Sequence, residues 1–212
     1  MMRSKCITMA LTIVLAFVAG NLRAQDAVRS GDDLLRFGGN LSFITSKTYI
    51  YDGERGMNGY SWRPGVSFLA EYEHIWPSGW GLGTMMDFNH TVYDGNIYKS
   101  SYNVNLFYWG VGGLYRNRLG GKWMYEVGLG LGWANVSGDV DEESNGLGLM
   151  EKIGVEYRLS PVVGLNIQLI DIQSLFPKSK EFKELGRQYP DEFDTSYGFY
   201  RLELSVGITV HL

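Results

Sequence analysis

Side chains able to do chemistry are sparse in this 212-residue chain. Its three histidines, His74, His90 and His211, stand far apart, and none lies at a metal-binding spacing from another. His90 sits among Asp87, Asn89 and Thr91. A histidine held against a hydroxyl can serve as its general base. No serine stands at a spacing that makes such a pair, so His90 reads as a solvated residue, with catalysis as the alternative. Asp139, Asp141, Glu143 and Asn145 alternate as ligands do in calcium loops. Ser144 takes the place of the turn glycine and the terminal glutamate falls out of register, so this is read as a solvated acidic loop. The one cysteine, Cys6, lies at the front of the chain, which leaves no disulfide to form. The expectation is no metal, no cofactor and no catalytic residue.

A second set of ionisable residues is patterned rather than clustered. Arg36, Glu71, Glu73, Asp87, Glu126, Lys152, Glu156, Arg158, Arg201 and Glu203 occupy alternate positions, each opposite an apolar face. Alternation of this kind is a strand, because successive side chains point to opposite sides. It is clearest from Gly198 to Leu212, where Tyr200, Leu202, Leu204, Val206, Ile208, Val210 and Leu212 form one face and Arg201, Glu203, Ser205, Gly207, Thr209 and His211 the other. The pattern predicts eight strands: 35–45, 62–75, 80–89, 101–116, 123–134, 148–158, 163–169 and 198–212. Connections 46–60, 90–99, 135–145 and 174–196 are long; 76–79, 117–121 and 159–161 are short. A helical turn or two is expected over 179–185, ending at Gly186. Long and short connections alternate strictly, which places all long loops at one end of an up-and-down antiparallel barrel.

Two arrangements satisfy such a barrel: an apolar interior with a wet exterior, or the reverse. Aromatic rings decide between them. Trp76, Trp80, Trp123 and Tyr157 fall near the short turns, and Trp62, Tyr102, Trp133 and Tyr200 near the long loops, on or beside the apolar phase. Two such bands bracket a hydrocarbon layer. The charged phase then faces inward, where the interior of eight strands is filled by side chains and the ions must pair. Leu69 breaks the inner phase, and Glu151 breaks the outer one and is expected near an interface.

Residues 1–24 read as a secretory signal peptide: Arg3 and Lys5 precede the apolar run Ile7–Gly20, and Ala24 stands at the cleavage edge. Residues 25–212 are then the mature barrel. Without Arg3, Lys5 and Arg23 the chain carries 16 basic and 23 acidic residues, which argues against a nucleic-acid partner.

The chain end carries a family likeness. Ser205, Gly207, Val210 and Leu212 resemble the sorting signal of outer-membrane barrels, although that family usually ends in an aromatic residue. With the strand set, they make the chain similar to the small OmpA- and OmpX-like barrels. The resemblance implies an all-β, eight-stranded transmembrane barrel in the cell outer membrane. It implies a monomer surrounded by outer-membrane lipid and inserted by the barrel-assembly machinery. The expected role is structural or interactive and non-enzymatic, without an open pore, with segment 174–196 as the contact surface for other envelope proteins. The alternatives are a rim-active lipid-modifying enzyme using His90, and a narrow ion channel through the charged lumen.

Overall fold

Period-two alternation becomes nine hydrogen-bonded segments: β1 (Asp32–Ile44), β2 (Ser61–Trp62), β3 (Gly65–Ile75), β4 (Trp80–Asp94), β5 (Ser101–Gly120), β6 (Trp123–Gly138), β7 (Ser144–Arg158), β8 (Val163–Leu175) and β9 (Gly198–His211). The computed structural model describes residues 32–45, 61–94, 101–139, 144–177 and 198–212. The signal peptide, the helical turn expected over 179–185, Asp141, Glu143 and most of segment 174–196 lie outside the described residues. Every neighbour pair is antiparallel, and β1 pairs with β9 as well as β3. β4 pairs with both β3 and β5, so the sheet closes on itself. β2 and β3 are one stave of the barrel interrupted at Arg63–Pro64, which makes eight staves in all.

Strands run further than their alternation suggests. β4 continues to Asp94, so His90 lies within a strand instead of a loop. β5 continues to Gly120 through a register shift between Arg118 and Gly120, and β6 and β7 pair Asn135 with Asn145. The reason is cooperative: once a pair is in register, each added backbone hydrogen bond is local and polar side chains do not stop it. The short turns are closed by local chemistry. Gly79 adopts φ +84 and donates to the Trp76 carbonyl at 2.9 Å. A Cβ there would stand 2.7 Å from the Arg116 carbonyl, so only glycine serves. Ser160 Oγ accepts from the backbone of Val162 and Val163, at 3.2 and 3.0 Å.

The outer wall is hydrocarbon. Phe37, Leu41, Val66, Phe68, Leu82, Leu129, Leu131, Ile167 and Val206 are all exposed. A contiguous apolar surface of this extent is the mark of a lipid-facing wall. At the turn end Trp76, Trp80 and Trp123 are exposed, with Trp80 tilted against Tyr115 and Trp123 against Tyr157, at 5.2 and 4.9 Å between ring centroids. Trp133 and Tyr200 face outward near the loop end.

Three placements correct the sequence reading. Trp62 turns inward against Phe199, with centroids 5.6 Å apart. Trp62 and Val66 are four positions apart, while their β4 partners Tyr93 and His90 are three apart; the extra residue at Arg63–Pro64 reverses the phase. Tyr102 also belongs to the inner face, because Tyr108, in phase with it, pairs with buried Asp87. Glu151 is not near an interface. It pairs with Asp171 on the outer wall, about 15 Å above the Tyr157 ring by strand rise and tilt.

Candidate functional site: the charged lumen

Inward-facing side chains stack in layers along the barrel axis. Nearest the turns, Leu34, Ile75 and Leu114 form a small apolar base. Next comes an ionic layer. Arg36 donates to Glu71 at 3.3 Å, to Glu73 at 3.1 Å and to both oxygens of Glu126. Lys152 reaches Glu71 at 2.7 Å, Glu126 at 2.9 Å and also Glu73. Arg116 joins Glu126 at 3.3 Å to Glu156 at 2.8 Å. At the rim, Arg158 bonds Asp32 at 3.0 Å and donates to His211 Nδ1 at 3.2 Å. His211 Nδ1 is thus an acceptor, so its Nε2 carries the proton and donates it to Glu156, at 2.8 Å.

Glycines make this crossing network possible. Gly83, Gly112, Gly128 and Gly130 leave one wall of the lumen bare, and long side chains from elsewhere fill the space. A Cβ on Gly128 would stand 2.9 Å from Lys152 Cε, and one on Gly130 3.0 Å from Met150 Cε. Among the described residues, one cavity of about 10 Å³ lies beside Arg36, Arg116 and Glu156 and another beside Glu71, Glu73 and Lys152. Each has room for about one water.

Above lies an apolar layer of Leu69, Met85, Tyr108, Met150, Ile170 and Ile172, so Leu69 is a core residue of the lumen and no exception to its logic. A second ionic layer follows. Arg201 bonds Asp87 at 2.5 Å and Glu203 at 2.8 Å. Asn40 donates to the same two carboxylates, at 3.1 and 2.7 Å, and Ser67 donates to Glu203 at 3.0 Å. The loop end is filled by Val104, Leu106, Ala134, Val136, Phe176 and Phe199, with Ile44, Trp62 and Tyr102 packed against them.

Of the ten charges read from the sequence, nine are buried and fall into these two layers; Arg158 is half-exposed at the turn end. Arg116 was missed. It continues the inner phase of Gly112 and Leu114 at what looked like a strand end, and extending the alternation past the boundary finds it. Ser205 and Gly207 of the chain-end pattern face inward and Val210 and Leu212 outward; Leu212 is exposed. His90 is on the outer wall, while Asp87, Asn89 and Thr91 point inward. Its Nδ1 shares a hydrogen bond with Asn105 Oδ1 at 2.9 Å, a partner that is an amide and not a hydroxyl. No group of histidine, cysteine and carboxylate side chains suited to a metal occurs among the described residues.

A closed eight-stave barrel with an ionic interior and a hydrocarbon exterior is an inside-out globular protein, and its fold recurs in solved structures. Neisserial surface protein A superposes with a TM-score of 0.55 at 17% identity, covering 84% of this chain and 96% of that one. Outer membrane protein OprG of Pseudomonas aeruginosa superposes with a TM-score of 0.57 at 12% identity, covering 86% and 96%. The chain has the fold of the small outer-membrane β-barrels. No protein-family model matches it, and no curated protein does. In that fold the outer face of β1 to β9 meets lipid and the ionic layers are shielded from it by the backbone of the barrel.

Proposed function

We propose that this barrel is a closed, non-enzymatic protein of the outer membrane, monomeric in the bilayer, that serves envelope integrity and presents its loop end to other envelope proteins. The observation that carries the reading is the filled lumen: among the described residues, two ion-paired layers are separated and capped by apolar ones, and each of the two spaces described beside the lower layer holds about one water. A path for ions needs continuous water, and an apolar layer removes it. The long connections all leave from one end, which in this fold is the external one. Segment 174–196, whose Phe176 belongs to the loop-end plug, mixes Phe182, Tyr189 and Phe193 with charges and is the proposed contact surface. Insertion is assigned to the barrel-assembly machinery acting on Ser205, Gly207, Val210 and Leu212.

Three measurements test this. Purified protein in planar bilayers should give no conductance steps; regular steps would replace the closed barrel by a channel. A photo-crosslinker at Tyr189 in native outer membranes should yield a discrete adduct with an envelope protein, and labelling of lipid alone would remove the interaction role. Lipid A from cells carrying His90→Ala should match wild type by mass spectrometry; an altered acyl pattern would restore the enzymatic alternative.

A further inference from the structure

The upper ionic layer does not balance. Asp87 and Glu203 are both fully buried, and Arg201 is the cation that meets them. The layer is sealed by the apolar plug toward the loops and by the Leu69–Tyr108–Ile172 layer toward the turns. The polar groups facing the two carboxylates lie on five strands, Asn40 and Ser42 on β1, Ser67 on β3, Asn89 on β4, Tyr108 on β5 and Arg201 on β9, while β8 sets the apolar Ile170 opposite Glu203. Apart from Arg201 these carry no charge at neutral pH. One negative charge is left over in a dry compartment, at a cost of several kcal/mol if nothing neutralises it.

A second observation marks the same place. Asn40 donates its amide hydrogens to both carboxylates, while its Oδ1 has no partner. Ser205, directly across the β1–β9 pair, has no partner for its Oγ either. Both are buried. The space beside them is kept open by Gly38, whose Cβ would lie 2.6 Å from Ser205 Oγ and 3.6 Å from Asn40 Oδ1. Unpaired buried oxygens beside excess negative charge call for an electrophilic occupant.

We propose that the upper lumen holds one small monovalent cation, a proton or an alkali-metal ion, bound between Asp87, Glu203 and the Asn40–Ser205 oxygens. This goes beyond a closed barrel, since a lumen can be closed with or without it. Folding then takes up one positive charge that the unfolded chain does not hold. If the ion is a proton, the folding equilibrium weakens up to tenfold per pH unit as pH rises, because the native state binds more protons than the unfolded one.

The test is the urea midpoint of the barrel in lipid vesicles, for wild type, Asp87→Asn and Glu203→Gln. The pH is varied between 5 and 8 in sodium chloride, and at fixed pH sodium is replaced by N-methylglucamine at constant ionic strength. A proton predicts a wild-type midpoint that falls with pH, with either single variant flattening the dependence. An alkali ion predicts a fall on replacing sodium, again lost in the variants. Infrared spectra of the folded wild type supply a readout independent of unfolding: a protonated-carboxyl band that Asp87→Asn or Glu203→Gln removes identifies the proton. A wild type indifferent to pH and to sodium, without such a band, overturns the proposal. So does a pH or sodium dependence that neither substitution reduces.

Discussion

Replacing Arg36 by methionine tests how the lower ionic layer is held together. Arg36 bonds three carboxylates, Glu71, Glu73 and Glu126, in a layer where Arg36, Arg116 and Lys152 oppose Glu71, Glu73, Glu126 and Glu156. The wild-type layer is thus one negative charge in excess, with Arg158 at its exposed edge. Methionine preserves much of the volume but leaves two cations against four carboxylates. Breaking a buried pair from one side costs about 3–5 kcal/mol, because the abandoned charge stays buried. At about 1.4 kcal/mol per decade the folding constant should fall roughly 100- to 1,000-fold or more. Arg36→Met combined with Glu126→Gln restores the wild-type excess of one and should recover at least half of the loss. The assay is equilibrium urea unfolding in phosphatidylcholine vesicles, followed by tryptophan fluorescence and by heat-dependent gel mobility. Arg36→Met within about 1 kcal/mol of wild type, or a double variant no better than the single one, would refute the balance argument.

The remaining predictions concern the wall. Gly207→Ala should destabilise by about 1–3 kcal/mol, since its Cβ would stand 2.3 Å from the Phe37 carbonyl in the seam that closes β9 onto β1. Gly39→Ala, with nothing within 4 Å, should stay within about 0.5 kcal/mol in the same unfolding assay; equal effects would sink the close-approach reading. Replacing both Glu151 and Asp171 by leucine should stabilise the barrel in vesicles by about 1 kcal/mol or more, because two adjacent carboxylates then leave the lipid-facing wall. A loss of stability would show that those carboxylates are already satisfied.

Much of this architecture was legible because a barrel writes its two environments at period two. β9 and β6 separate them cleanly: Leu202, Leu204 and Val206 against Arg201, Glu203 and Ser205, and Leu129 and Leu131 against Gly128, Gly130 and Gly132. Partnership within the lumen was not legible. Arg36 and Glu126 meet across the barrel ninety positions apart, and alternation says only that both point inward. Nor does it tell which inward positions are apolar layers, since Leu69 looks like an error of phase until Met85, Tyr108, Met150 and Ile170 are seen beside it.

β5 shows where the signal fails and what replaces it. Tyr102, Val104, Leu106 and Tyr108 on one side and Phe107, Trp109 and Val111 on the other are both apolar, so period two establishes a strand without saying which face meets lipid. The sign is supplied by a neighbour. β4 carries Asp87 and Asn89, which cannot face hydrocarbon unpaired, and antiparallel pairing sets Tyr108 opposite Asp87 and Leu106 opposite Asn89. Cross-strand partners share a face, so the polar pair on β4 commits the even positions of β5 to the lumen. Trp62 obeys the same logic once the extra residue at Arg63–Pro64 is counted. Where both faces of a strand are greasy, its orientation is therefore decided by the charges of the strand beside it. Moving Asp87 to the adjacent position on β4 should misfold the barrel more severely than removing it.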